Sequence, residues 1–338
     1  SRAISSVFIG GGTPSLWRAE ALGAVLKCLD RVTEGGLHGV EVTAECNPSS
    51  LDGGQAKALV SAGVNRLSVG AQGLDADRLK FLGRLHDGPL ALRAIEAALD
   101  SGARSVNVDV IYGVAAGSAQ GQTAEEAARE AEQIARLGIH HVSAYQLTIE
   151  PNTPFGELSR AGKLPLLDDA ILADSFVAVG DALADHGFVR YEISNFAQAG
   201  EQCEHNLGYW RGRDYLGLGC AAFGALSRAD GTGWRYRNPP TPQRYAEMVA
   251  AGDLTPHEID QLDGEARMRE RLMLGLRLLN GLDVEACASG LGVEPWPRRR
   301  LEASRDLQAR GRLCRSGPRL YIPPEAWLWA DDTACRLF

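Results

Sequence analysis

Five short apolar runs recur in the first half of the chain, and their starting points are about 26–39 residues apart. Amphipathic stretches lie between them, each followed by glycine or a glycine-containing turn. This alternation is typical of a parallel sheet whose strands are joined by helical crossovers. The predicted strands are Val7–Ile9, Val40–Ala44, Arg66–Ala71, Ser105–Tyr112 and Val142–Ile149, and the predicted helices are Leu16–Val32, Asp52–Ala62, Pro89–Ser101 and Ala124–Leu137.

Several of these strands are apolar on both faces, as expected when helices cover one face and a barrel interior the other. A barrel is therefore favoured over an open sheet. The carboxyl ends of parallel strands form the ligand-binding face in such folds, so polar or glycine residues there are candidates for a site. The residues at the predicted strand ends are Gly11–Thr13, Glu45, Asn47, Gln72, Asp109, Thr148 and Glu150.

The first strand runs directly into a glycine triplet, Gly10–Gly12, followed by Thr13 and Pro14. Because glycine has no Cβ and adopts positive φ readily, three in succession let main-chain groups approach a small molecule closely. A loop without a ligand explains the triplet alone equally well.

Four other polar residues each have a binding and a structural interpretation. The Glu45 carboxylate could accept hydrogen bonds from two ribose hydroxyls, or it could cap a turn. The Gln72 amide has donor and acceptor atoms, but by itself it does not indicate a binding site. The guanidinium of Arg84 suits a bidentate carboxylate or an ordinary surface position. Asp109 interrupts an apolar strand, where a carboxylate is costly to bury without a partner, so a functional role is favoured.

The segment after the repeats concentrates a thiol, an imidazole and aromatic rings, in Cys203-Glu204-His205-Asn206-Leu207-Gly208-Tyr209-Trp210. Cys203 and His205 have a spacing that suits metal ligation, and imidazole is a common axial ligand of heme iron. A core histidine packed among aromatic rings is the structural alternative.

Composition limits the class of protein. The net charge of −8 argues against a nucleic-acid-binding surface, and the basic run Arg298–Arg300 is more typical of a solvated helix face. No apolar run approaches the length of a membrane span, so no membrane anchor is expected. Seven scattered cysteines favour a reducing cytoplasm over a secreted disulfide framework, and no signal peptide is expected before Val7.

Seven segments occur in an order that resembles the radical S-adenosylmethionine (SAM) proteins related to oxygen-independent coproporphyrinogen III oxidase. Within this family, HNLGYW at 205–210, followed by Tyr215–Cys220, resembles the HNxxYW signature of the HemW heme chaperones. The stretch Arg271–Leu278 is similar to the family's C-terminal region. The seven segments are Ser6–Ser15, Glu45–Pro48, Asn65–Gln72, Leu82–His86, Asn107–Gly113, Tyr145–Thr153 and Tyr191–Ala197.

The resemblance implies ligands and partners. Heme and heme-accepting proteins are the implied partners, and a homodimer is left open. In this family a [4Fe–4S] cluster binds SAM, whose reductive cleavage yields a 5′-deoxyadenosyl radical. The implied SAM contacts are Gly11, Gly12, Thr13, Glu45 (ribose), Gln72, Arg84 and Asp109; the implied heme region is His205, Asn206, Tyr209 and Trp210, with His205 as candidate iron ligand.

The sequence departs from the family pattern in three places. The CxxxCxxC motif that holds the cluster is absent, so the sequence contains no metal ligands of that kind and the first βα unit is expected to be missing. An N-terminal truncation is favoured over a cluster-free relative. Gly113–Gly117 replaces a usual Gly-x-Pro turn, and Phe223 stands where relatives commonly carry histidine.

The pattern changes after Pro240, where helix-like Glu265–Leu279 and Trp296–Arg310 precede a hairpin-like Leu313–Ile322. The predicted fold class is α/β: a partial (β/α) TIM-like barrel of radical SAM type with a small winged-helix-like C-terminal domain. The predicted boundaries are residues 1–200 for the partial barrel, 201–255 for a connecting region containing HNxxYW, and 256–338 for the α-plus-hairpin domain.

The leading functional hypothesis is a cytoplasmic heme chaperone that binds heme and SAM and lacks oxidase activity. The alternative is an oxygen-independent coproporphyrinogen III oxidase, which converts its substrate to protoporphyrinogen IX by radical oxidative decarboxylation. A third hypothesis is a catalytically silent fragment, which would aggregate because an incomplete barrel exposes a strand edge and apolar helix faces.

Overall fold

The computed structural model describes residues 3–118, 120–253 and 255–338. The chain divides into two compact units, residues 1–205 and 206–338. The boundary between them falls inside the predicted connecting region 201–255, and the three-part division of the sequence stays a prediction. No helix in these described ranges is long and apolar enough to cross a membrane.

The first unit is built on a seven-stranded sheet with the strand order β1-β2-β3-β4-β5-β7-β6. Strands β1 to β5 are parallel neighbours, which confirms the predicted parallel sheet. Strands β7 and β6 extend the sheet with antiparallel pairing, which the sequence did not predict. The strands are β1 Ser6–Ile9, β2 Glu41–Cys46, β3 Arg66–Gln72, β4 Ser105–Tyr112, β5 His141–Gln146, β6 Val189–Arg190 and β7 Asn195–Ala197.

Helices connect the parallel strands, and side-chain caps explain where several of them begin. Asp52, Asp75 and Asp87 each accept a hydrogen bond from the main-chain N–H three residues later, and Thr123 forms a capping box with Glu126. The helices of this unit are α1 Ala19–Val32, α2 Gly53–Ser61, α3 Ala76–Phe81, α4 Gly88–Leu99, α5 Ala124–Ala135, α6 Pro154–Arg160 and α7 Asp169–Ala184, with short 3₁₀ helices at Pro14–Leu16 and Pro48–Ser50. Helix α8, Glu204–Trp210, includes the boundary residues.

The core of the first unit lies between the parallel strands and the helices. Leu67 and Val69 of β3 and Val106 and Val108 of β4 are almost completely buried. The strand predicted over Val142–Ile149 ends earlier, at Gln146, so Thr148 and Glu150 lie in the following loop and are exposed.

The second unit contains two antiparallel three-stranded sheets, with the orders β10-β9-β8 and β11-β13-β12. Its strands are β8 Phe223–Ser227, β9 Gly233–Arg237, β10 Glu258–Leu262, β11 Leu282–Asp283, β12 Cys314–Ser316 and β13 Arg319–Tyr321. Its helices are α9 Pro242–Ala250, α10 Gly264–Gly275, α11 Val284–Leu291, α12 Arg298–Ala309 and α13 Ala330–Arg336, with a 3₁₀ helix at Pro324–Trp329. Helices α10 and α12 and the β12–β13 hairpin lie where the sequence predicted them.

Candidate functional site

The glycine triplet forms an open main-chain turn after β1. Gly11 and Gly12 adopt φ values of +75° and +130°, and apart from the adjoining residues no heavy atom of the described chain lies within 4 Å of the Cβ position at either glycine. A Cβ at Gly10 would lie 2.9 Å from the carboxyl carbon of Glu45. Glycine therefore permits both the turn and the close approach of Glu45. Thr13 follows as a half-buried residue at the start of the 3₁₀ helix Pro14–Leu16.

Glu45 lies near the end of β2, beside the glycine turn. The Gly11 N–H donates a hydrogen bond of 3.2 Å to Glu45 Oε2. Burial raises the pKa of Glu45, the Gly11 hydrogen bond opposes the rise, and the negative charge of Asp109 adds to it. The structure thus brings Gly11, Glu45 and Asp109, three predicted site residues, to one place.

Asp109 projects from β4 into a network of hydrogen bonds. Ser68 Oγ donates to Asp109 Oδ2 at 3.1 Å, and Asn107 Nδ2 donates to Asp109 Oδ1 at 2.8 Å. Burial raises the pKa of Asp109, while the hydrogen bonds from Asn107 and Ser68, the Ser143 hydroxyl and the positive charge of Arg66 lower it. The carboxylate is therefore held in place by donors from β3 and β4.

The network continues from Asn107 through His141 to Tyr191. Because Asn107 Nδ2 donates to a carboxylate, its Oδ1 atom is the acceptor for Ser143 Oγ at 3.1 Å and for His141 Nδ1 at 2.6 Å. The other ring nitrogen of His141 lies 2.9 Å from the Tyr191 hydroxyl. Burial lowers the pKa of His141 well below 6.5, and the positive charge of Arg66 adds to this effect, so the imidazole is neutral at neutral pH.

Gln72 is the last residue of β3 and has a φ of +62°, which is rare for a residue with a side chain. The pairing of β3 with β4 shifts between Val69 and Gln72, so the strand contains an irregularity at this point. The Gln72 amide nitrogen would lie 2.8 Å from a Cβ at Gly70, which shows that the side chain folds back along the strand.

Arg84 lies on the exposed turn between α3 and α4. It lines a surface cavity of about 340 Å³ together with Lys80 and Arg93. In the described part of the chain, no hydrogen bond or ion pair joins Arg84 to Glu45 or Asp109. Its predicted contact with SAM stays a prediction.

His205 is fixed by residues of the first strand. Its Nδ1 atom lies 3.1 Å from Ser6 Oγ, and its ring stacks on Phe8 with the ring centroids 4.8 Å apart. Burial lowers the pKa of His205, Glu41 opposes this change and Arg66 adds to it. The imidazole is therefore oriented and neutral, as metal ligation requires.

Glu41, at the start of β2, holds the beginning of α8. Its carboxylate accepts hydrogen bonds from the main-chain N–H groups of Glu204 and His205, both at 3.0 Å, and from the Cys203 thiol at 3.4 Å. A carboxylate at a helix N-terminus is favourable because it satisfies N–H groups that have no partner within the helix. Cys203 is thus a donor to Glu41 in this structure.

The other residues of the predicted heme region belong to the second unit. Asn206, Tyr209 and Trp210 line a cavity of about 310 Å³ within that unit. The rings of Tyr209 and Tyr215 meet edge to face, with centroids 4.7 Å apart. Phe223, at a position where a histidine is expected in relatives, begins β8 and is exposed, with the Arg237 guanidinium 5.2 Å from its ring centroid.

Metal ligands are not grouped within the described ranges: no three His, Cys, Asp or Glu side chains there could hold a metal ion together. The described residues therefore do not fit a [4Fe–4S] cluster.

The Gly113–Gly117 loop, where a Gly-x-Pro turn was expected from the family resemblance, is held by Gln122. The Oε1 atom of Gln122 accepts a hydrogen bond of 2.8 Å from the Gly113 N–H.

Three residues that support the site were not predicted from the sequence. Asn107, His141 and Glu41 were not singled out, although Ser105, Asn107 and Asp109 alternate along β4 and so share one face. That alternation was a usable signal. The contact of Asn107 with His141 depends on the pairing of β4 with β5, which the sequence does not display.

Comparison with known proteins identifies two families along the chain. Residues 1–117 match the Radical SAM superfamily, and residues 262–329 match the HemN C-terminal domain. The structure of coproporphyrinogen III oxidase (HemN) from Escherichia coli, a radical SAM enzyme, superimposes with a TM-score of 0.79 over 99% of this chain and 78% of that chain. At 18% identity this likeness shows the fold, and it confirms the predicted α/β class of radical SAM type.

Curated relatives share more of the sequence. Heme chaperone HemW of Haemophilus influenzae is 41% identical over 72% of this chain and 61% of its own length, and that of E. coli is 41% identical over 68% and 58%. This chain thus spans about 60% of the length of those two relatives. Heme chaperone HemW of Mycobacterium tuberculosis is 34% identical over 97% of this chain and 79% of its own length. The chain therefore belongs to the HemW family of the radical SAM superfamily.

Proposed function

We propose that this protein is a heme chaperone that binds heme and SAM and delivers heme to acceptor proteins. The observation that carries the proposal is the imidazole of His205, oriented by Ser6 and Phe8 in a chain whose relatives are named heme chaperones. The proposal places the protein in the cytoplasm, as its scattered cysteines favour. A homodimer is compatible with it and is not required.

His205 is the proposed ligand of the heme iron. The Ser6 hydroxyl lies within hydrogen-bond distance of the Nδ1 atom of this imidazole. A hydrogen-bonded partner on one ring nitrogen fixes the orientation of a ligating histidine. The lowered pKa keeps the imidazole in the neutral form that binds metals. Asn206, Tyr209 and Trp210 complete the proposed heme region.

SAM binding is proposed at the carboxyl ends of β1 to β4. Gly11 and Gly12 leave open space at their Cβ positions, and the Glu45 carboxylate lies beside them, so these residues fit a nucleoside. Glu45 would accept hydrogen bonds from ribose hydroxyls, and Asp109 adds a second negative charge suited to a cationic ligand. Thr13, Gln72 and Arg84 are proposed as further contacts. Bound SAM would supply a sulfonium for radical chemistry in this superfamily, and the proposal contains no step through an iron–sulfur cluster.

Heme titration followed by visible absorption tests the proposal. The wild-type protein should bind heme with one strong site, and His205→Ala should weaken that site at least tenfold and shift the Soret band. His38→Ala is the matched control, since His38 is an exposed histidine of the same unit. Unchanged affinity and spectrum in His205→Ala would exclude this histidine as the ligand.

The SAM site has its own test. Isothermal titration should show that Glu45→Gln weakens SAM binding about tenfold, because a neutral amide replaces a charged hydrogen-bond acceptor. Glu34→Gln, at an exposed position, should bind as the wild type does. Equal affinities of Glu45→Gln and wild type would remove Glu45 from the site.

A further inference from the structure

The cavity of the second unit has an unusual combination of charge and aromatic surface. Its volume is about 310 Å³, and its walls include the rings of Tyr209, Trp210, Tyr215 and Trp234. Four arginines and two carboxylates also line it, so the lining has an excess of two positive charges. Sites for organic ligands are typically apolar cavities of this size or larger with a few convergent polar groups.

Arg271 of α10 is the exceptional group in this lining. Its guanidinium donates to the main-chain oxygen of Arg211, and the next residue, Gly212, has no Cβ at the place that the guanidinium occupies. No carboxylate oxygen within the described ranges lies within 4.0 Å of it. Burial lowers the pKa of Arg271 and the positive charge of Arg267 adds to this effect, while the negative charges of Asp214 and Glu270 oppose it. This half-buried cation thus makes no close ion pair.

Arg267 reinforces the excess charge, because it lies one helical turn before Arg271 on the same helix. It is buried, and its guanidinium donates to the main-chain oxygens of Gly231 and Thr232, both at 2.9 Å, and to the Ser227 hydroxyl. These acceptors are neutral. The carboxylate of Glu270 forms its close ion pair with Arg235, and the charges of Arg267 and Arg271 act on it less strongly.

Trp210 provides a second, independent observation. Its indole Nε1 atom is buried and has no hydrogen-bond partner among the residues that the structure describes. A buried donor without a partner is rare in proteins and calls for an acceptor. Trp210 lines the same cavity as Arg271.

We propose that this cavity binds a carboxylate attached to a flat apolar body, with Arg271 as the charged anchor and the Trp210 N–H as a second donor. Arginine binds carboxylates in a bidentate manner, and aromatic walls suit a planar ligand. The propionate groups of a porphyrin supply this chemistry, and that choice of source rests on the proposed function. A small free aromatic carboxylate is the other source.

The test compares metal-free protoporphyrin IX with its dimethyl ester, using quenching of tryptophan fluorescence in the full chain. The wild type should bind the diacid at least tenfold more tightly than the ester. Arg271→Met should reduce this preference to less than about threefold, and Trp210→Phe should weaken binding of the diacid more than of the ester. Arg298→Met is the control, because Arg298 is a highly exposed arginine outside the cavity, and it should keep the tenfold preference.

Arg271→Lys keeps the charge and loses the planar fork, so it should show an intermediate preference even if Arg271→Met folds poorly. Far-UV circular dichroism and melting temperature establish folding for each variant. Equal wild-type affinity for diacid and ester, or a full preference in folded Arg271→Met, would overturn the porphyrin assignment. Binding of 1-naphthoate that depends on Arg271 without porphyrin discrimination would support the carboxylate site and reject the porphyrin source.

This experiment is independent of the heme titration with His205→Ala. Metal-free porphyrin has no iron, so its binding does not depend on an axial histidine. If His205→Ala loses the heme signal while the wild type binds diacid and ester equally, the carboxylate site in the cavity is refuted and the chaperone proposal is supported. If His205→Ala keeps the heme signal while the wild type prefers the diacid, His205 is refuted as the heme ligand and the carboxylate site is supported.

Discussion

Asn107 is the residue on which the buried polar network depends most. Its side chain is 2% exposed and joins Ser68, Asp109, Ser143 and His141. Replacement by alanine removes all these contacts together and leaves a buried carboxylate and a buried imidazole each without one partner.

The cost can be worked out from the individual contacts. A hydrogen bond to a neutral group contributes about 1 kcal/mol and one to a charged group about 1.5–3 kcal/mol. Three contacts are with neutral groups and one is with Asp109, and contributions within a network are not strictly additive. We expect Asn107→Ala to lower the free energy of unfolding by about 3–5 kcal/mol. For a unit of this size the melting temperature should fall by about 10 °C.

Urea unfolding of the full chain, followed by far-UV circular dichroism at pH 7.5, measures this loss. Asn65→Ala is the matched control, because the Asn65 side chain makes two hydrogen bonds, at 2.8 and 2.9 Å, to main-chain atoms of Val40 and Val42. Its expected cost is about 1–2 kcal/mol. A loss of less than about 1 kcal/mol in Asn107→Ala, or one no greater than in Asn65→Ala, would refute the idea that the network stabilises the unit.

Three further results are expected. The Thr43 hydroxyl is fully buried and has no hydrogen-bond partner within the described ranges, so Thr43→Val should raise the free energy of unfolding by about 1 kcal/mol in urea titrations; a decrease would contradict this reasoning. The folded-state pKa of His141 lies well below 6.5, so the unfolded chain takes up a proton that the folded protein refuses, and stability falls as the pH drops below 6.5. His141→Gln should reduce that fall by up to about 1.4 kcal/mol per pH unit, and an unchanged slope would show that His141 does not cause it. Gly10→Ala places a Cβ 2.9 Å from the Glu45 carboxyl carbon, so SAM affinity measured by calorimetry should fall, whereas Gly35→Ala should leave it unchanged.

Much of the first unit was predictable because its strands are buried on both faces and its helices are amphipathic, so hydrophobic periodicity locates both. Helix α7, Asp169–Ala184, was not predicted, since its apolar residues are spread around the helix and give little periodicity. Strands β6 and β7 contain two and three residues, too few for an alternating pattern to be recognised.

Site residues were predictable where the pattern along a single strand reveals them, and not where they depend on the pairing of two strands. Glu45 and Asp109 were found because each places a carboxylate at or near the end of an apolar strand. The link from Asp109 through Asn107 to His141 was not found, because it requires the register of β4 against β5. Arg84 was predicted as a SAM contact only through family resemblance, and its exposed position gives no independent support.

Strand β2 carries two acidic residues with different tasks, four positions apart. Glu41 holds the helix that bears His205, and Glu45 accepts the Gly11 N–H at the glycine turn. At about 3.3 Å per residue, the two carboxylates project from the same face of one strand about 13 Å apart along it. Because β2 pairs with β1 on one side and β3 on the other, this separation is set by paired main chain and not by loops. Strand β2 therefore sets the distance between Glu45, the proposed nucleoside acceptor, and Glu41, which holds the helix bearing His205. A change in loop sequence would leave that distance unchanged.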